Sequence, residues 1–435
     1  MAFLAFLAFL AFLAFIPGIP GIPGIPGIHG IHGIHGIHAW HSWHSWHSSL
    51  IILGHSPMKI CHVITRMILG GAQENTLLTC EGLHARGHEV TLITGPAIGP
   101  EGELLGRAKA GGYRVVVLDS MRREINPVRD LKCASDLRRL LSEIRPDVMH
   151  SHSSKAGILA RRAAAQVGGM KIVHTVHGLP FHRHEKWWRN RIYVALERAA
   201  AKRTDAIISV ADAMTVQALA AGVGRAQQYT TIYSAMEVEA FGRRPADTDA
   251  VRAALRLPAQ AVVVTQISRL AELKGHEFLI EAARQIADER VCFCLVGDGR
   301  LRGQIESRIA SLGLAERFRL TGLVAPDRIA ALLHASDIVV HCSLREGLAR
   351  ALPQAMLAGR PVVSFDVDGA REVVDAETGI LLAPKDVAGL KLALQTLADC
   401  PPLRLKLGAA GQVRCREMFD HNRMVDRVEA LYRRL

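Results

Sequence analysis

The stretch AVVVTQISRLAELKGH (261–276) decides the reading of the fold. Its first eight residues form a short β-rich apolar run, and a helical segment follows at 275–287. The same unit recurs on both sides. Upstream, KICHVIT (59–65), EVTLIT (89–94), RVVVLD (114–119), DVMHSH (147–152), KIVHTV (171–176) and AIISV (206–210) read as strands. Amphipathic helical segments such as 72–86, 127–144 and 155–167 lie between them. Downstream, VCFCLVG (291–297), FRLTG (318–322), DIVVHCS (337–343), PVVSFD (361–366) and TGILLA (378–383) continue the pattern. Alternation at this spacing implies right-handed βαβ units and parallel sheets.

The periodicity is weakest at 234–260, so the chain divides into two α/β halves. The expected organisation is a first domain at 58–235, a connection at 236–260, a second domain at 261–418 and a last helix at 419–435, whose packing back on the first domain the sequence alone does not decide. Two open sheets facing each other bring their strand carboxyl ends to one cleft, where ligands of open α/β sheets bind.

The chain has 435 residues, a formal net charge of +12, 49% hydrophobic and 22% charged residues. These values exclude a mostly disordered chain and a mostly membrane-embedded one. No uninterrupted apolar run reaches the roughly 20 residues of a transmembrane helix. Eight scattered cysteines without a C-x-x-C pair fit a reducing compartment, the cytoplasm, and argue against a disulfide framework or a zinc site. Residues 1–57 differ from the rest: they hold no Asp, Glu, Lys or Arg and run through AFL, IPG, IHG and WHS tripeptides. A three-residue period specifies neither a helix stripe nor a strand face. A histidine at every third position from His29 to His47 would bind metal loosely. The better reading is a low-complexity segment of translated tandem repeats ahead of a start at Met58.

Three motifs lie where cleft chemistry is expected. GGAQ (70–73) follows the first strand and opens a helix, so its glycines let backbone N–H groups approach an anion. It is not G-x-G-x-x-G, and a tight βα turn would need the same residues. Arg269 and Lys274 lie just past the strand at 261–268; two cations there suit a diphosphate and would offset charge growing on a leaving phosphate. A pair of surface cations is the plainer reading. In REGLARALPQAMLAGRPVV (345–363), Glu346 ends a loop before a helix expected at 348–358, whose N-terminus would hold its pKa low. Gln354 falls eight residues on, two turns along the same face. A capping Glu and an ordinary helical Gln would look alike.

Taken together and in this order, GGAQ (70–73), HSHSSKAG (150–157), HTVHGL (174–179), SRLAELKG (268–275), GDG (297–299) and EGLARALPQAMLAGRPVV (346–363) make residues 58–435 resemble glycosyltransferase family 4. These are retaining enzymes of the GT-B fold, in which two Rossmann-like domains with parallel sheets face an interdomain cleft. The resemblance implies a nucleotide diphosphate sugar, most simply UDP-linked, as donor and a hydroxyl acceptor, possible on a lipid-linked glycan, in cell-surface polysaccharide synthesis. It implies that Arg269 and Lys274 bind the donor diphosphate and that Glu346 contacts the donor sugar; on the present reading the two cations face that carboxylate across the interdomain gap. The second Glu of the family's E-x7-E pattern binds ribose, and here that position is Gln354, an amide that still hydrogen-bonds hydroxyls but carries no charge. His177 falls near the transferred sugar, where its side chain or carbonyl would stabilise an oxocarbenium-like transition state, with His152 a second candidate. Gly71 would offer its N–H to the donor phosphates. Gly297 and Gly299 would admit the nucleotide to the backbone, unless they are simple turn glycines.

No D-x-D pair sits at a strand end in a donor-binding context, so no metal or other cofactor is expected and the cations replace one. No enzymic nucleophile is evident either, and a front-face path is the simplest. The basic segment 181–203 with Trp187 and Trp188 suits peripheral contact with an anionic membrane, or equally a solvated helix. Basic charge alone would allow nucleic-acid binding, but no recognition motif supports it. Two other readings stand beside transfer: a non-catalytic nucleotide-sugar-binding protein, and a sugar-nucleotide epimerase of the same fold, for which no acid/base carboxylate pair is evident in the first half.

Overall fold

The computed structural model describes residues 56–98 and 102–435. The tripeptide runs and their histidines lie outside the described residues, as do residues 99–101 of the loop after the second strand.

The first half is a seven-stranded parallel sheet. Its strands are β1 (Lys59–Arg66), β2 (Glu89–Gly95), β3 (Arg114–Val117), β4 (Val148–His152), β5 (Lys171–Val176), β6 (Ala206–Ser209) and β7 (Tyr229–Thr231), in the order β3-β2-β1-β4-β5-β6-β7. The second half is a six-stranded parallel sheet of β8 (Val262–Ile267), β9 (Val291–Val296), β10 (Phe318–Gly322), β11 (Ile338–His341), β12 (Val362–Phe365) and β13 (Gly379–Leu382), ordered β10-β9-β8-β11-β12-β13. The central strands β1, β4, β8 and β9 are buried almost throughout, because helices cover both faces of each sheet. That is why β9 reads in sequence as an unbroken apolar run, while β1, β4 and β8 bury polar residues such as His62, His152 and Gln266 beside their apolar ones. β7 is a three-residue, half-buried edge strand with two threonines, and no apolar run announces it.

Both sheets reverse their strand order at one point, between β1 and β4 in the first and between β8 and β11 in the second. Loops leaving the carboxyl ends of these strands therefore gather at two crevices. Between the sheets the chain makes two short helices, Val238–Gly242 and Thr248–Ala254. After the second sheet, the helix Pro401–Met418 leads to Asp420, whose side chain caps the helix His421–Arg433 by accepting from the Asn422 and Arg423 N–H groups. The last helix lies on the first domain: Met424, Val425 and Val428 share a core with Leu77, Leu78 and Leu83 of the helix Gly71–Ala85.

The two domains are in close contact. Val210, Ala211 and Met214 of the first pack with Leu348, Ala349 and Ala370 of the second in one apolar cluster. Around it, Glu372 accepts from the Asp212 and Ala213 N–H groups at 2.7 and 2.9 Å, and the Gln217 amide donates to Asp368 at 2.9 Å. Arg350 reaches from the second domain to Glu74 (2.7 Å), Ser234 Oγ (3.0 Å) and the Ala235 carbonyl (2.6 Å). No helix among the described residues is long and apolar enough to cross a membrane.

Candidate functional site

The site grows from the loop after β8. Gln266 donates to the Lys274 carbonyl (2.8 Å), and Leu344 N–H donates to the Leu273 carbonyl (2.8 Å). The second bond ties this loop to the one after β11, so Lys274 and Glu346 meet: Lys274 Nζ lies 2.5 Å from Glu346 Oε1. His341, the last residue of β11, brings Nε2 to 3.2 Å from the same oxygen. The Glu346 N–H is held by Asp368 Oδ2 at 2.6 Å. Burial raises the Glu346 carboxyl pKa, but the Lys274 charge and then His341 outweigh it and hold the group well below its usual 4.5. Its low pKa therefore comes from a cation rather than a helix terminus. The helix expected at 348–358 starts only at Ala351. Pro353 accounts for the delay: without an N–H it fits the first turn of a helix, whereas a start at 348 would leave it in the interior.

A hollow of about 540 Å³ opens beside these residues. Arg269, Lys274, Arg345 and Glu346 line it from the second domain, and Ala72, Ser153 and His177 from the first. Arg269 is exposed and makes no ion pair or side-chain hydrogen bond among the described residues, so its guanidinium is uncommitted. Lys274 gives one N–H to Glu346 and retains two. A pyrophosphate would find here two cations with spare donors, beside a carboxylate that accepts from hydroxyls. A second hollow of about 760 Å³ adjoins the first; Arg269, Lys274 and Arg345 line both, and Gly70, Gly71 and Ile158 belong to its first-domain wall.

Not every sequence expectation about the site holds in this geometry. Arg269, Lys274 and Glu346 stand on one wall, all on second-domain loops, so the cations do not face Glu346 across the gap; what faces it is the His177 edge. The reason is topological, because β8 and β11 are neighbours in one sheet. His177 directly follows β5 and lines the cleft. Gly347 packs on its carbonyl, where a Cβ would collide with that oxygen. His152 is fully buried behind His177, its Nδ1 3.1 Å from His177 Nε2. Gly71 lines the second hollow and also makes room for Arg350, whose Cδ would lie 2.6 Å from a Cβ there. Gly297 and Gly299 admit backbone, since a Cβ on either would strike the Ser268 or Leu270 carbonyl. Gln354 is half-buried and lines neither hollow.

Sequence reasoning passed over His341, Arg345 and Asp368, which hold or flank Glu346. Arg345 donates to the Leu179 carbonyl of the first domain, and burial lowers its pKa. Its place directly before Glu346 was the one available signal. Among the described residues, His62, His150 and His152 form a group close enough to hold a metal ion, with ligand atoms within 4.8 Å.

Two parallel α/β domains meeting at a cleft that joins cations, a carboxylate and a strand-end histidine define a GT-B glycosyltransferase. The comparisons agree. Residues 70–234 match the Glycosyl transferase 4-like domain, and residues 247–414 match the Glycosyl transferases group 1 family. The chain is 30% identical over 370 residues to the 2-deoxystreptamine N-acetyl-D-glucosaminyltransferase of Streptomyces fradiae, covering 79% of this chain and 86% of that one. It is 28% identical over 388 residues to the UDP-Gal:alpha-D-GlcNAc-diphosphoundecaprenol alpha-1,3-galactosyltransferase of Escherichia coli, covering 87% and 97%. Anabaena HepE, solved in complex with UDP-glucose, superposes with a TM-score of 0.75 at 23% identity, covering 87% of this chain and 100% of that one. The chain belongs to the family 4 glycosyltransferases and is an enzyme of that class.

Proposed function

We propose that the protein moves a sugar from a UDP-sugar to a hydroxyl of a lipid-linked glycan acceptor, with retention at the anomeric carbon and without a metal, in cell-surface glycan synthesis. The observation that carries this reading is the single hollow shared by Arg269, Lys274, Glu346 and His177. Arg269 and Lys274 take the diphosphate, with the Gly71 N–H turned to it from the first domain. Glu346 accepts from the sugar hydroxyls. As the bond from the anomeric carbon to the phosphate oxygen breaks, negative charge collects on that oxygen, where the two cations stabilise it. The departing phosphate takes the acceptor's proton, and the acceptor oxygen bonds to the anomeric carbon on the face the phosphate leaves. The products are the glycoside and UDP. Closure of the cleft excludes water, which would otherwise hydrolyse the donor.

The E. coli relative supports a UDP donor and a lipid diphosphate acceptor, both given in its name. The second hollow supports an amphipathic acceptor, with Ile68, Ile125 and Leu159 beside the cations Arg123 and Lys155. Trp187, 72% exposed at the start of the basic helix Trp187–Ala201, supports peripheral contact with an anionic membrane on the cytoplasmic side. Gln354, Gly297 and Gly299 lie away from both hollows, and ribose contact by Gln354 would need the donor to extend past them.

The test is a screen of UDP-sugars against polyprenyl-diphosphate-linked acceptors, read by mass spectrometry, with EDTA present and with Glu346→Ala as control. One UDP-sugar should give a product of matching mass in EDTA, with an α linkage by NMR from an α-linked donor, and Glu346→Ala should give little. Loss of product in EDTA with recovery in magnesium contradicts metal independence. A β linkage contradicts retention, and equal turnover by Glu346→Ala contradicts the role of that carboxylate.

A further inference from the structure

Behind His177 runs a set of buried histidines that the transfer step does not use. The strand register explains how they meet. β1 pairs with β4 so that His62 stands opposite His150, and β4 pairs with β5 so that His152 stands opposite Thr175. Side chains two residues apart on a strand share a face, which puts His150 and His152 on one side of the sheet with His62. His177, two residues past Thr175, extends the row to the cleft. The rings of His62 and His152 have centroids 5.3 Å apart, and those of His152 and His177 likewise 5.3 Å. His62 Nδ1 lies 3.0 Å from His152 Nε2, and His152 Nδ1 lies 3.1 Å from His177 Nε2. His150 stands outside this chain, with its nitrogens on Tyr432 OH and Thr175 Oγ1.

We propose that His62 and His152 are positioning residues for His177: two imidazole–imidazole hydrogen bonds, donated outward from the core, lock His177 as the tautomer with a bare Nε2 and an Nδ1–H offered to an oxygen of the donor sugar. The sugar as ligand rests on the transfer reading; the tautomer does not.

A neutral imidazole has one N–H, so each ring inside the chain must accept at one nitrogen and donate at the other. The three rings are neutral. Burial pushes His62 down to about 3, burial and then Arg350 push His177 down to about 3, and burial with the neighbouring His150 pushes His152 well below 6.5. Only two arrangements remain, all bonds outward or all inward. The inner end decides between them. His62 Nε2 is buried without a hydrogen-bond partner among the described residues. Inward donation would put the chain's last proton there, as a buried N–H with no acceptor, the rarer kind of orphan in folded proteins. Outward donation leaves that nitrogen bare and delivers the N–H to His177 Nδ1, which has no hydrogen-bond partner among the described residues. A metal held by His62, His150 and His152 would have to take nitrogens of His150 and His152, all four of which already have hydrogen-bond partners.

Protein labelled with [15N]histidine tests this without substrate, so its outcome is separate from that of the transfer assay. Two-bond 1H–15N spectra, with the His177 signals assigned by their loss in His177→Gln, should show a protonated Nδ1 and a bare Nε2 at neutral pH. A protonated Nε2, an imidazolium, or a stoichiometric metal in the purified protein overturns the proposal. In the kinetic arm, His152→Leu should lower kcat about tenfold or more with the donor KM little changed. His152→Asn, which keeps an amide near the Nδ1 position, should restore part of it, and His152→Leu should cost nothing further in a His177→Ala background. An equal further loss in that background overturns the proposal. Should His152→Leu fail to fold, the wild-type spectrum decides alone.

Discussion

Gly347 of the second domain lies directly against the His177 carbonyl of the first, with no space for a side chain between them. The contact fixes the separation of the two walls where Glu346 and His177 line the same hollow. Gly347→Ala should therefore hold the walls apart while leaving each domain folded. We expect kcat/KM to fall by about 100-fold, as for a misplacement near 1 Å, with a larger radius of gyration by small-angle scattering. An unchanged rate would mean that this approach is not needed for turnover.

The same logic applies on the other side of the cleft, where Gly71 leaves room for Arg350 and Arg350 binds Glu74 at 2.7 Å. Gly71→Ala should displace the guanidinium and weaken the interdomain contact by about 1.5–3 kcal/mol, the scale of a hydrogen bond to a charged group. Urea unfolding should show Gly71→Ala and Arg350→Ala to be strongly non-additive. Simple addition would mean that Gly71 does not act through Arg350.

The strands were legible from sequence because helices cover both faces of each sheet, so buried strands such as β9 are rich in apolar residues, although β1 and β4 also bury His62, His150 and His152. The edge strand Tyr229–Thr231 had no such constraint and left no signal. The positions of Arg269, Lys274, Glu346 and His177 beyond strand ends were also readable, since a βα loop is short and its place follows from the strand. That Lys274 and Glu346 would meet was not, because β8 and β11 become neighbours only through pairing between distant segments. His341 and Asp368 escaped for the same reason: each reaches Glu346 only through the folded sheet. Pro353 could have corrected the helix start, but the apolar spacing of 348–358 outweighed it.

Acid stability should follow the buried histidines. Burial drives His62 to about 3 and holds His150, His152 and His174 well below 6.5. As pH drops below about 6.5 the unfolded chain takes up protons that the folded one refuses. Stability must therefore fall through that window, by up to about 1.4 kcal/mol per pH unit for each such group. Thermal melts between about pH 8 and 5 should show Tm falling steadily at the acid end. A flat Tm would mean these rings are protonated in the fold.

Glu346 has the opposite sign. Its folded pKa is below the usual 4.5, so the stability from its ionised form is present above about 4.5 and is lost only as pH falls further. Wild-type kcat/KM should show no acid limb from Glu346 near neutrality. Lys274→Ala removes the charge that chiefly offsets burial, so the variant's acid limb should move upward in a pH–rate profile. An unmoved limb would mean that Lys274 does not hold the carboxylate ionised.

The most direct test of the site is calorimetric titration of UDP into wild type and Lys274→Ala at neutral pH. If Lys274 and Arg269 hold the donor by its diphosphate, the substitution should weaken UDP binding by about 1.5–3 kcal/mol, the range for a charge-assisted contact. Equal affinity in the two proteins would contradict the account.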